Sequence, residues 1–210
     1  EGCGLCEIVC PVGRMGDASP VTMWPAVSGE LVRARSASGP LSGGRLWAGG
    51  EASGKLVARV RAAADEATLF HGRTLQVIDG PPGTGCPVNA SVTGTDYAVA
   101  VTEPTQSGLH DLRRILDLLR FFRVPHGVVV NKADLNRDVC GAVEAECAAR
   151  GVEVLGRIPF DRALVEALVD GRRAVDVTGP AGDALREACR RILAAAESRR
   201  GTVAEGGKTF

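Results

Sequence analysis

The chain has 210 residues, 45% of them hydrophobic and only 4% aromatic, with 25 Lys+Arg balancing 25 Asp+Glu. That length suits one α/β domain with an aliphatic core plus a small appendage, and the charge balance argues against a nucleic-acid partner. No apolar run reaches membrane-spanning length and no signal-peptide pattern opens the chain, so a cytoplasmic protein without a membrane span is expected.

Seven cysteines in such a chain point to a reducing compartment and to metal ligation. Cys3, Cys6 and Cys10, followed by Pro11, read CGLCEIVCP. This is the spacing of the last three ligands of CxxCxxCxxxCP, the run that binds iron–sulfur clusters in bacterial ferredoxins. The three thiols are therefore expected to be metal ligands, for a [4Fe–4S] cluster. The missing first Cys would sit one residue before Glu1, so the chain reads as cut inside a motif. In two-cluster ferredoxins the fourth Cys of a run serves the other cluster. Cys10 would then belong to a different ligand set from Cys3 and Cys6. The plainer alternative is three unrelated thiols. Residues 1–20 are expected to be the remnant of a ferredoxin-like insert.

Residues 21–52 read as a connecting segment rich in Gly, Ser and Pro. Val21–Trp24 and Leu31–Arg35 suggest a hairpin around Ser28-Gly29. Trp24 and Trp47 are expected to pack. From Ser53 the pattern turns helical, with Leu56, Val57, Val60 and Ala64 on one face. Gly49 to Lys55 fits GxxxxGK, but Leu56 stands where a P-loop needs a hydroxyl for Mg²⁺. No buried strand precedes it, so this is not read as a P-loop.

The stretch LQVIDGPPGTG, Leu75 to Gly85, reads as a buried parallel strand that delivers Asp79 to the C-terminal edge of a sheet. Ligands bind at that edge in open α/β sheets. There an Asp holds Mg²⁺, directly or through water, and the glycine loop through Gly83 senses the γ-phosphate. An Asp that merely ends a strand before a turn is the alternative.

Regular alternation follows. Strands are expected at Tyr97–Thr102, Gly127–Asn131 and Val152–Ile158. Helices are expected at Ser107–Phe122, Asp138–Arg150, Asp161–Asp170 and Ala181–Ala196, with a mobile tail over 197–210. This order implies an α/β, doubly wound parallel sheet over residues 53–196. Thr102-Glu103-Pro104-Thr105 closes one strand. Asn131-Lys132-Ala133-Asp134 closes the next, and NKxD there is a base-reading signature: amide and carboxylate match a purine edge while the Lys stem stacks on its face. A capped turn is the alternative. Pro159-Phe160-Asp161 ends the last strand and would wall the same base. His110 reads as a surface group. Cys140, Cys147 and Cys189 read as buried fillers.

The runs DGPPGTGCPVNASVTGTDYAVAVTEPTQSGLHDL, VVVNKADLN and LGRIPFD, with SGKLV and the cysteine run, resemble the MinD-type P-loop ATPases that carry an inserted ferredoxin domain. The resemblance covers nearly the whole chain up to about Ala196. It implies a deviant-Walker nucleotide hydrolase of P-loop NTPase fold coupled to [4Fe–4S] clusters. Its cofactors would be the cluster and ATP with Mg²⁺, and its partners a second copy bound through the nucleotide face and a redox or iron–sulfur protein. Residue by residue, Asp79 matches the Mg²⁺-site aspartate and catalytic group. Gly83 matches the switch glycine, and Asn131, with Asp134 and Pro159, the purine site. Cys3, Cys6 and Cys10 match cluster ligands. The family's deviant Walker A loop, first strand and first cluster run have no counterpart here, so the chain is expected to be the C-terminal two-thirds of such a protein, with little ATPase activity alone. Two other functions remain open: a non-catalytic iron–sulfur docking module, or a GTPase using NKAD. The GTPase switch DxxG needs Gly at position 82, where Pro82 stands.

Overall fold

The computed structural model describes residues 4–11, 21, 24, 27–50 and 53–205, the last six and Ser53 as backbone only. Two compact units emerge, Glu1–Ser91 and Val92–Phe210, and the expected domain over 53–196 is divided between them.

In the first unit, α1 (Leu5–Val9) is a one-turn helix. Strands β1 (Gly29–Ser36) and β2 (Gly39–Leu46) pair antiparallel. A hairpin was expected, but its turn lies at Ala37-Ser38 rather than Ser28-Gly29. There Ser36 Oγ accepts from the Ser38 N–H at 3.2 Å and donates to the Gly39 carbonyl at 3.0 Å. Strand β2, GPLSGGRL, has no β-branched residue and so gives no strand signal. Helix α2 (Ser53–Phe70) turns Leu56, Val57, Val60, Ala63 and Ala64 inward, as its spacing predicts. It lies against β2 so closely that a Cβ on Gly44 would sit 2.8 Å from Leu56 Cδ1. Trp24 and Trp47 do not pack as expected; they are 80% and 52% exposed.

The stretch expected to form the central buried strand does not form it. The sheets of the described residues are β1–β2 and β3–β4–β5, and Leu75–Ile78 belongs to neither. Leu75 and Val77 are 53% and 85% exposed. Parallel strands owe their stability to neighbours on both edges and cover on both faces, and no described strand flanks this one. After the glycine loop comes α3 (Cys86–Val92), a helix the sequence reading missed because Pro87 and Asn89 weaken its signal.

The second unit holds the three-stranded parallel sheet in order β3 (Ala98–Thr102), β4 (His126–Asn131) and β5 (Glu153–Ile158). Helices α4 (Gln106–Phe121) and α5 (Arg137–Ala149) cover one face. Leu109, Leu112, Leu116, Val143 and Cys147 pack there on Ala100, Val128 and Val130. On the other face α6 (Arg162–Val169) and α7 (Pro180–Glu205) supply Leu164, Leu185, Ala188 and Ile192 against Val129, Leu155 and Ile158. The β4–β5 register shifts after Val128, and Gly156 then meets α7 where a Cβ would lie 2.6 Å from Ala188 Cβ. The tail expected from residue 197 begins as helix, with α7 running on to Glu205. Residues 206–210 lie outside the described residues.

Candidate functional site

In the second unit, α4, α5 and α6 are each capped by a side chain placed just beyond the preceding strand. Thr105 accepts from the Gly108 N–H at 2.9 Å, Asn136 from the Val139 N–H at 3.1 Å, and Asp161 from the Ala163 N–H at 2.8 Å. The loops after β3, β4 and β5 are thereby gathered on the C-terminal edge of one parallel sheet, where α/β folds bind ligands.

The β3 loop is fixed on both sides of Glu103. Thr102 is buried and its hydroxyl donates to the Gly108 carbonyl at 3.1 Å, while Pro104 is fully buried. Helix α4 approaches so closely that a Cβ on Gly108 would lie 2.3 Å from the Glu103 carbonyl oxygen. The β4 loop begins with Lys132 in the left-handed region at φ 52°. Its Nζ pairs with Glu103 Oε1 at 2.8 Å. The Ala133 N–H donates to the Ile158 carbonyl at 2.9 Å, and Asp134 Oδ1 accepts from the Phe160 N–H at 2.7 Å. Asn131, Asp134 and Pro159 are thus brought to one edge, with Asn131 and Pro159 half-buried and Phe160 55% exposed. The Glu103–Lys132 pairing was missed in the sequence, although both residues stood in flagged motifs. Spacing within each motif is silent about contacts between motifs.

Asp79 and Gly83 lie in the first unit, both exposed, Gly83 at φ 89°. The PPGTG loop leads straight into α3, whose start lies beside that of α2: a Cβ on Gly54 would be 3.3 Å from Cys86 Cβ. Arg61 donates from Nη1 to the Ala90 carbonyl at 2.7 Å and ties the two helices. A shallow groove of about 360 Å³ between the hairpin and α2 contains none of the expected site residues; Pro40, Leu41, Ala67 and Phe70 line it.

Cys3 lies outside the described residues. Cys6 is an exposed thiol on α1, and Cys10, half-buried, caps it. Among the described residues no group of three potential metal ligands comes together. Free thiols suit iron, and Cys6 and Cys10 would make up two of the four thiolates that a [4Fe–4S] cluster takes. Cys140 and Cys147 are buried fillers, as expected, and burial raises both thiols above their ordinary pKa, which keeps them protonated and unreactive. Cys189 is half-buried on α7. His110 is exposed.

No family model matches the chain. It is 37% identical over 97 residues to an uncharacterized protein of Methanocaldococcus jannaschii, covering 46% of this chain and 34% of that one. It is 29% identical over 137 residues to an iron–sulfur cluster carrier protein of the same organism, covering 59% and 47%. With a cytosolic Fe-S cluster assembly factor Nubp1 homolog of Drosophila pseudoobscura pseudoobscura it shares 27% identity over 139 residues, covering 57% and 45%. The chain spans between a third and a half of the length of these relatives. Among solved structures, the MinD cell division protein of Aquifex aeolicus matches with TM-score 0.57 and 21% identity over 77% of this chain and 68% of that one. The Pyrococcus furiosus cell division ATPase MinD matches with TM-score 0.54 and 22% identity over 67% and 58%. Among the described residues no helix is long and apolar enough to cross a membrane. The chain has an α/β fold with a parallel sheet of the MinD P-loop NTPase type, and its homologues include iron–sulfur cluster carriers.

Proposed function

We propose that this chain is part of a MinD-type ATPase whose nucleotide cycle drives cluster delivery or electron transfer through an iron–sulfur centre. The observation that carries this reading is the likeness to iron–sulfur cluster carriers in a chain of MinD-type fold that also bears CGLCEIVCP. The intact protein would hold Mg²⁺ through Asp79, directly or by way of water, and the ion would neutralise charge on the transferred phosphoryl group. Gly83 would let the loop approach the γ-phosphate. Cys3, Cys6 and Cys10 would bind [4Fe–4S] iron, completed by ligands outside these 210 residues. Such a protein would be cytoplasmic, would pair with a second copy through the nucleotide face and would pass clusters or electrons to a further protein.

Adenine is the proposed base. A guanine reader needs a free carboxylate for the two donors on the guanine edge. One oxygen of Asp134 is engaged by the Phe160 N–H at 2.7 Å, which suits a loop brace better than a base reader. Asn131 would then contact the ring and Pro159 would wall it.

The test is hydrolysis by the full-length protein. ATP should be turned over, and Asp79→Ala should remove that activity with circular dichroism unchanged, a loss of several kcal/mol in transition-state stabilisation. Wild-type turnover in the variant would reduce Asp79 to a turn residue. Anaerobic reconstitution checks the other half: Cys3→Ser with Cys6→Ser should lower bound iron by one cluster's worth, and unchanged iron would sink the ligand assignment.

A further inference from the structure

Among the described residues only two other than glycine have positive φ, Arg123 at 56° and Lys132 at 52°. Arg123 is accounted for by its position. It follows the C-cap of α4, its N–H donates to the Arg120 carbonyl at 3.0 Å, and the Val124 N–H reaches the Leu119 carbonyl at 3.0 Å, the pattern that ends a helix. Lys132 directly follows the end of β4. Glycine would enter the left-handed region there without the steric cost that a Cβ brings. An outlier of this kind, beside a binding edge, points to a use for the side chain.

Among the described residues the Lys132 side chain pairs with Glu103. Lys132 Nζ stands 2.8 Å from Glu103 Oε1, with the two side chains 38% and 39% exposed. The backbone of Glu103 is held in place, lying between buried Thr102 and Pro104 and pressed on by α4 at Gly108. An ion pair that starts from a held backbone loses less entropy on forming than one between two side chains on mobile backbone.

We propose that Glu103 is a positioning residue for the purine. It anchors the head of Lys132 before nucleotide arrives, so that the four-carbon stem lies fixed between the ends of β3 and β4 as a platform for the base. The inference rests on the nucleotide reading above and adds a residue from a different strand to it. An unanchored lysine would have to surrender its rotamer freedom on binding; the anchored one has done so already. Immobilising one such side chain is worth roughly two- to tenfold in affinity.

The test uses the full-length protein with two probes, ATP and inorganic tripolyphosphate, which lacks a base. Glu103→Gln and Lys132→Gly should each weaken ATP by roughly two- to tenfold, and the double variant should be no weaker than the worse single one. Tripolyphosphate affinity should not move in any of them. Lys132→Gly should also raise the melting temperature, because it relieves the left-handed backbone. Wild-type ATP affinity in both single variants would overturn the proposal. So would equal weakening of both probes, or a fall in melting temperature for Lys132→Gly, either of which makes the pair structural. A wild-type protein that binds neither probe would take down the nucleotide reading and this one together, whereas normal ATP binding in the variants takes down this one alone.

Discussion

Asp79 and Asn131 both stand where an apolar stretch meets a loop, yet their backbones are held in opposite ways. Asn131 ends β4, which has a strand on either side and helices on both faces, and Val128 and Val130 beside it are fully buried. Asp79 ends a stretch with no strand beside it, and Val77 is 85% exposed. The two sequences, GVVVN and LQVID, are equally apolar. A parallel strand is therefore a property of its neighbours more than of its own residues. Asn131, Asp134 and Pro159 stand on a sheet edge within the second unit, whereas Asp79 in the first unit has no described strand beside it.

Hydrogen exchange should show the largest contrast. Amides of Val128 to Val130 should exchange only on global opening, which for a domain of this size requires about 5 kcal/mol or more. Those of Gln76 to Ile78 should exchange within minutes. Equal protection would break the comparison outright. In the full-length protein, protection that rises at Gln76 to Ile78 alone would sharpen it, because added flanking strands would then complete that side.

Leu112→Ala comes next. Leu112 is 2% exposed in the core beneath β3 and β4, so truncation should cost about 2–5 kcal/mol. Two melting transitions should separate, with only the one that reports the second unit shifted. A single transition that moves as a whole would show that the two units fold together.

Asp134→Asn should have a smaller effect. It weakens the acceptor for the Phe160 N–H, a loss of about 1 kcal/mol in stability. ATP affinity in the full-length protein should change little. A strong GTP preference that collapses in this variant would favour the GTPase alternative.

The smallest effect is acid sensitivity. Hydrogen bonds from Arg150 and Arg113 hold the Glu146 carboxyl below the usual range, and one from Arg157 does the same for Glu144. A depressed carboxylate adds stability above its unfolded pKa and loses it as pH falls through the folded one. The second unit should therefore weaken only below about pH 4. Glu146→Gln should flatten that limb of the stability profile, by less than about 1 kcal/mol because the pairs are partly exposed. An unchanged limb would show that other carboxylates set it.

Most of the second unit was legible in the sequence, for physical reasons. Leu109, Leu112, Leu116 and Leu119 mark one helix face, and GVVVN marks a strand covered on both faces, so both periods appear in the letters. The expected starts at Ser107, Asp138 and Asp161 each lie one residue from the observed Gln106, Arg137 and Arg162. The hairpin turn was misplaced because β2 is held by its pairing rather than by strand-forming residues. The Glu103–Lys132 pair was invisible for a related reason: 29 positions separate its members, and only the parallel register of β3 with β4 brings them together.

The links between strands and helices in the second unit are short. Residues 103–105 join β3 to α4, 132–136 join β4 to α5, and 159–161 join β5 to α6. With a cap at the end of each, these links have no slack for a hinge. Under the nucleotide reading proposed above, that edge would act as a floor whose shape does not change between a bound triphosphate and a diphosphate. Under the same reading, the signal that distinguishes the two would come from the stretch 80–85, where Gly80, Gly83 and Gly85 leave the backbone free to change course.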